Sequence, residues 1–201
     1  MLFKRREKFN SLSVRIGIIF SKLPLSPNQW TVLAFVPALI SAYFLVKEDF
    51  LFSALLFLIS GFVDLIDGSV ARVTGRVTKL GAYLDTIADR YVEAIIIFAL
   101  LFVALPQVYF QIYVWLYVYL FGSMLTTYAK AAAKEKDLVD EEIKGGIMER
   151  AERMLILVLG IILAAYDKSF LSYTIVLLAV LANISAFQRI YYSIKAAKKS
   201  K

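Results

Sequence analysis

Apolar runs of about 20 residues, the length that crosses a bilayer, recur along this 201-residue chain, which is 60% hydrophobic with mean hydropathy +0.70. Backbone inside hydrocarbon must satisfy its own hydrogen bonds, so such runs fold as helices. The pattern predicts an all-α integral membrane protein with six spans near 28–46, 50–73, 80–104, 107–133, 150–166 and 170–195. Segment 3–21 is too charged to span. There Phe9, Leu12, Ile16, Ile19 and Phe20 recur at helical spacing opposite Lys4, Arg5, Arg6, Lys8 and Arg15, which predicts an amphipathic helix lying on the membrane surface. A signal peptide is the competing reading of this basic N-terminus, but no small-residue cleavage site follows, so the whole chain is taken as mature. Residues 1–22 therefore read as a surface helix and 23–201 as one six-helix membrane domain.

Loop charge orients the spans. Six crossings put the N-terminus, the 74–79 linker, the 134–149 loop and the C-terminal tail on one face, which gathers Arg76, Lys79, Lys134, Lys136, Lys144, Lys198 and Lys201 among its cations. The opposite loops hold little beyond Lys47, Glu48, Asp49, Asp167 and Lys168, so the basic face is expected to be cytoplasmic. The net charge of +7 is then a topology signal and an attraction to anionic lipid; no nucleic-acid-binding motif accompanies it. The charged stretch 134–149 reads as a solvated connector, with Gly145 and Gly146 ending one element before the fifth span; a lid is the alternative.

Cysteine and histidine are absent. Thiol nucleophiles, imidazole bases and disulfides are excluded, and any catalysis must run on carboxylates, cations, hydroxyls and oxygen-bound metals.

Against this apolar background stand four aspartates, in GFVDLIDGSVARVTGRVTKLGAYLDTIADR. A bare carboxylate within a membrane costs about 2.5 kcal/mol or more, so something cationic must compensate Asp64, Asp67, Asp85 and Asp89. Asp64, Asp67 and Ala71 share one helical face, and Gly81, Asp85 and Asp89 share another. The short link from Thr74 to Lys79 makes the two helices antiparallel neighbours, so the faces can converge near the cytoplasmic boundary. Oxygen ligands of this kind suit Mg²⁺, Mn²⁺ or Ca²⁺, and four carboxylates suffice for two ions with shared ligands. Gly68 and Gly81 have two readings, close helix packing or close approach of a phosphate to the backbone. Arg72 likewise reads as a phosphate contact or as an ion-pair partner of Asp64 or Asp67.

Asp64, Asp67, Gly68, Ala71, Arg72, Gly81, Asp85 and Asp89 reproduce the signature D-x2-D-G-x2-A-R-x8-G-x3-D-x3-D, and in this the chain resembles the CDP-alcohol phosphotransferase family. Its LSPNQWT segment and its six spans behind a surface helix resemble that family too. The resemblance implies transfer of a phosphoalcohol from a CDP-alcohol to a hydroxyl, with release of CMP. It implies that Asp64, Asp67 and Asp85 hold one Mg²⁺ and that Asp67, Asp85 and Asp89 hold a second, with Mn²⁺ an alternative. Asp89 is the candidate general base, although a metal-bound carboxylate is a weak base and Asp89 could mainly orient the nucleophile. Gly68, Ala71, Arg72 and Gly81 resemble nucleotide and diphosphate contacts, as do Asn28 and Thr31; Asn28 reads equally well as a helix N-cap. A homodimer is what the family implies.

The acceptor is read from three further segments, TTYAKAAAKE, MERAER and ANISAFQRIYYSIK, which resemble the inositol-phosphate-accepting branch. Lys130, Arg153 and Arg189 would cradle the acceptor phosphate, with Thr127 adding a hydroxyl. Ala132 stands where that branch carries a second basic residue, which leaves Lys134 to compensate or the acceptor to differ. Simpler readings are a Glu149 and Arg153 pair stapling the fifth helix and an Arg189 reaching to lipid headgroups. The expected reaction joins CDP-diacylglycerol or CDP-archaeol to inositol 1-phosphate. Glycerol 3-phosphate as acceptor, or CDP-inositol as donor, preserves the chemistry. A divalent-cation transporter and a structural scaffold are readings of other classes; Arg72 beside an ion path would be a liability for the first. The aromatic stretch Tyr109 to Phe121 reads as packing and lipid contact.

Overall fold

The computed structural model describes residues 2–138 and 147–199, and among these the fold is helical throughout. The helices are α1 (Leu2–Phe20), α2 (Pro27–Leu33), α3 (Phe35–Val46), α4 (Phe50–Val73), α5 (Lys79–Leu100), α6 (Ile112–Glu135), α7 (Arg150–Ala164) and α8 (Lys168–Lys199). Ser26 opens α2 through a capping box with Gln29, with Pro27 in the first turn. A break at Ala34 separates α2 from α3. Pro37 explains it: proline lacks the N–H that would reach the Leu33 carbonyl and its ring crowds that carbonyl. Taken as one rod, Pro27–Val46 is long and apolar enough to cross a membrane, as are Phe50–Val73, Ile112–Glu135 and Lys168–Lys198.

Four such helices are fewer than the six expected. Helix α5 is long enough but carries Lys79, Asp85, Asp89, Arg90 and Glu93, while α7 has 15 residues, about 22 Å of rise. The expected boundaries also shift. Residues 101–104 and 107–111, assigned to the third and fourth spans, leave the helical path together with the two residues between them: Pro106 disfavours helix in the residue before it, and Tyr109 takes a positive φ of 57°. Residues 139–146 of the 134–149 connector, with Gly145 and Gly146, lie outside the described residues, as do the side chains of Lys4, Arg5, Arg6, Lys8 and Phe9.

The chain forms two compact units. In the first, residues 2–47 and 52–96, Ile16 of α1, Trp30 of α2, and Ile66 and Val70 of α4 make a core bordered by Phe20, Leu25 and Val63. Phe20 meets Trp30 edge to face at 5.5 Å. The apolar face of α1 is thus divided. Ile16 turns inward, whereas Leu12 and Ile19 stay exposed, free to meet lipid. Helices α3 and α4 are tied by two hydroxyl bonds, Ser41 Oγ to the Ser53 carbonyl at 2.8 Å and Ser53 Oγ to the Ser41 carbonyl at 3.0 Å.

In the second unit, residues 48–51 and 97–199, α8 packs against α6 and α7. Asn183 of α8 donates to the Val118 carbonyl of α6 at 2.9 Å, over Gly122, where a Cβ would lie 2.9 Å from the Asn183 backbone nitrogen. Small residues at this crossing let the two backbones approach, as they do between membrane helices. Tyr113, Tyr117 and Phe121 recur every four residues on the exposed side of α6, while Tyr119 is buried, so the aromatic stretch divides between packing and an outward face.

Candidate metal and nucleotide site

Helices α4 and α5 place the signature residues, and the turn between them aims it. Gly75, at φ 66°, closes α4 in the left-handed conformation, and the Arg76 amide returns to the Ala71 carbonyl at 2.9 Å. Thr78 then caps α5, its Oγ1 accepting from the Gly81 amide at 2.9 Å. The chain therefore reverses within five residues, and the two aspartate faces meet.

Asp64, Asp67 and Asp85 each offer a carboxylate oxygen, all three within 4.8 Å of one another. Oxygens around a Mg²⁺ or Mn²⁺ at about 2.1 Å sit roughly 3–4 Å apart, so the triad fits a hard divalent cation with modest closure. Asp67 is buried and accepts a hydrogen bond from Thr31 Oγ1 at 2.5 Å. Asp89, one turn beyond Asp85, is outside this triad; its carboxylate lies 3.7 Å from Arg90, which also approaches buried Glu93 at 3.4 Å. Arg90 is a cation that the sequence reading missed, although it directly follows the signature.

Beside the triad opens a cavity of about 280 Å³. Asn28, Thr31, Gly68, Ala71, Arg72 and Gly81 line it together with Asp67 and Asp85, so every residue expected to contact the CDP moiety reaches one place. Asn28 is not the N-cap, since Ser26 fills that role; its side chain lies near Gly81, where a Cβ would stand 3.3 Å from Asn28 Oδ1. Gly68 faces the cavity under the Arg72 guanidinium, and a Cβ there would lie 3.2 Å from Nη1. The cavity also takes in Arg76 and Thr78, which the sequence marked only as loop residues. Arg72 and Arg76, with the hydroxyls of Thr31 and Thr78, around a backbone stripped of side chains at two glycines can hold a diphosphate.

In the second unit, α6, α7 and α8 bring the expected acceptor residues together. Arg153 is buried and donates to Ser123 Oγ at 3.0 Å; Arg189 donates to the Thr126 carbonyl at 3.0 Å. Their anchors are three residues apart on one face of α6, and Arg153 and Glu149 both act electrostatically on Arg189. Thr127 and Lys130 follow on α6, half-buried. Glu149 also serves as N-cap of α7 in a capping box with Glu152, and Gln188 accepts from the Ile147 amide at 2.9 Å. Lys134 is exposed.

Residues 25–185 match the CDP-alcohol phosphatidyltransferase family. The chain belongs to that family. It is therefore an enzyme and a multi-pass membrane protein, in keeping with its four long apolar helices. It is 30% identical, over 95% of both chains, to an archaetidylinositol phosphate synthase of Pyrococcus horikoshii. The fold is that of Mycobacterium tuberculosis phosphatidylinositol phosphate synthase in complex with manganese and citrate, at TM-score 0.79 and 25% identity, covering 90% of this chain and 88% of that one. The same mycobacterial enzyme with CDP-DAG bound superposes at TM-score 0.76 and 24% identity, covering 91% and 94%.

Proposed function

We propose that this enzyme transfers a lipid phosphate from a CDP-lipid, CDP-archaeol or CDP-diacylglycerol, to inositol 1-phosphate and releases CMP. The observation that carries the reaction is the convergence of the aspartate triad with the cavity that Arg72 and two glycines line. The acceptor is supported by Arg153 and Arg189, two cations anchored three residues apart on α6, which together suit a dianion. The match to an archaetidylinositol phosphate synthase along nearly its whole length supports the same choice.

Asp64, Asp67 and Asp85 would hold one Mg²⁺, and Asp67, Asp85 and Asp89 a second. Divalent cations there neutralise the diphosphate and the charge that develops on departing CMP. Asn28 borders the nucleotide, Arg72 holds a diphosphate oxygen, and Gly68 and Gly81 let the diphosphate lie against backbone. Lys130, Thr127, Arg153 and Arg189 hold the acceptor phosphate. The acceptor hydroxyl attacks the β-phosphate and gives its proton to Asp89. The bond from the β-phosphorus to the bridging oxygen breaks, and that oxygen leaves with the electron pair as CMP. Six crossings, with α5 and α7 included and both termini cytoplasmic, and a homodimeric assembly complete the reading.

CMP release by the purified protein in Mg²⁺ and CDP-lipid, with inositol 1-phosphate, with glycerol 3-phosphate or with neither, tests it. Release that needs inositol 1-phosphate and vanishes in Asp85→Asn is expected. Release with glycerol 3-phosphate alone would overturn the acceptor; no nucleotide release under any condition would overturn the reaction.

A further inference from the structure

Helix α1 reaches the nucleotide cavity through one hydroxyl. Arg72 Nη2 donates to Ser13 Oγ at 2.7 Å, and Ser13 Oγ lies 2.9 Å from Ser69 Oγ. Ser69 gives its single hydroxyl proton to the Leu65 carbonyl at 2.8 Å, so between the two serines Ser13 is the donor. The proton order follows: Arg72 to Ser13 and, in a longer bond of 3.4 Å, to Ser69 itself; Ser13 to Ser69; Ser69 to Leu65. Each hydroxyl in such a chain is polarised by the next, and the lone pairs of Ser13 stay available to the guanidinium.

Backbone proximity makes the reach possible. Gly17 lies one turn after Ser13, and a Cβ there would stand 2.5 Å from the Ser69 carbonyl oxygen and 2.6 Å from Val73 Cγ2. Helix α1 thus crosses α4 at a distance only glycine permits. On its other side the guanidinium rests over Gly68, so Arg72 is held between α1 and its own helix while it lines the cavity with Asp67 and Gly81. The remaining face of α1 exposes Leu12, Ile18 and Ile19, apolar side chains that a membrane surface would take up.

We propose that Ser13 is a positioning residue for Arg72, so that the docking of α1 sets how the guanidinium meets the diphosphate of the donor. This rests on the reading of Arg72 as a diphosphate contact. An exposed arginine without such a tether samples many rotamers, and ordering it at the moment of binding lowers affinity. Ser13 makes the shorter of the two hydroxyl bonds, 2.7 Å against 3.4 Å for Ser69, and so does most of that ordering beforehand.

The test uses full-length Ser13→Ala, Ser13→Thr, Arg72→Ala and the Ser13→Ala, Arg72→Ala double variant. Calorimetric binding of CDP in Mg²⁺ is measured alongside KM and kcat for the CDP-lipid. Ser13→Ala is expected to weaken CDP about five- to tenfold, less than the loss of a whole hydrogen bond to a charged group because Ser69 still accepts from Arg72, and to raise KM more than it lowers kcat. Ser13→Thr restores affinity, and Ser13→Ala adds nothing once Arg72 is gone. A loss of the same factor in the Arg72→Ala background, or failure of threonine to rescue, would show a merely structural role and overturn the proposal. If Arg72→Ala itself binds CDP like the parent, the reading of Arg72 beneath the proposal fails instead.

Discussion

Thr31 and Asp67 show how single side chains divide the work of the site. The sequence marks Thr31 as a nucleotide contact. Its hydroxyl lines the cavity, yet it donates to Asp67 Oδ2 at 2.5 Å, so it also fixes which carboxylate oxygen remains for a cation. Groups that orient a metal ligand change affinity by roughly 10- to 100-fold when removed. Thr31→Val should weaken Mn²⁺ binding within that range, read by paramagnetic resonance titration, while Thr31→Ser stays near the parent; unchanged affinity in the valine variant would mean that Asp67 needs no such partner. The convergence of Asp64, Asp67 and Asp85 was legible from helical spacing and the short link, whereas the same spacing put Asp89 with them and the structure leaves it outside the triad. The place of Asn28 was not legible. The S-x-x-Q pattern of Ser26 and Gln29, with proline between, was the available signal that the cap lay two residues earlier. Arg76 was hidden for a different reason, since a basic residue beside a membrane boundary reads first as topology, and Arg90 lies just past the last position of the signature.

At the scale of elements, the helices themselves were readable from apolar runs, and their ends were not. Pro37 interrupts a run that hydropathy treats as continuous, and residues 101–111 are apolar enough to extend two spans although Pro106 and Tyr109 take them off the helical path. Helix crossings were equally silent, because they depend on which glycine meets which neighbour. Gly122 faces the side chain and the backbone nitrogen of Asn183, the latter 2.9 Å from where a Cβ would stand, whereas a Cβ on Gly61 of α4 would meet nothing within 4 Å. Overpacking of this kind costs typically about 1–3 kcal/mol. Gly122→Ala should therefore lower the Tm of the detergent-solubilised protein, and Gly61→Ala should leave it unchanged or raise it, since alanine also favours helix. Equal Tm values for both variants and the parent would mean that α6 and α8 separate at little cost.

For the whole molecule the open quantity is the number of crossings. Four helices meet the length and composition of a span, while charge in α5 and brevity in α7 set those two apart. Of the charges of α5, Asp85 joins the aspartate triad, and a carboxylate retained near hydrocarbon marks function more often than it marks a helix outside the membrane. Helix α7, at about 22 Å, falls short of a bilayer core of about 30 Å and would cross through local thinning or with its flanks. The chain contains no cysteine, so single cysteines report sidedness without background. Tyr109, Lys136 and Tyr166 are exposed and follow α5, α6 and α7 in turn. With six crossings and a cytoplasmic N-terminus, Tyr109→Cys and Tyr166→Cys react with an impermeant maleimide on intact cells, and Lys136→Cys reacts only after permeabilisation. With four crossings that omit α5 and α7, the outcome inverts at two positions: Tyr109→Cys is shielded and Lys136→Cys reacts. Tyr166→Cys reacts in both cases and reports that labelling works, so the pair at 109 and 136 decides whether α5 carries its aspartates across the membrane or along its surface.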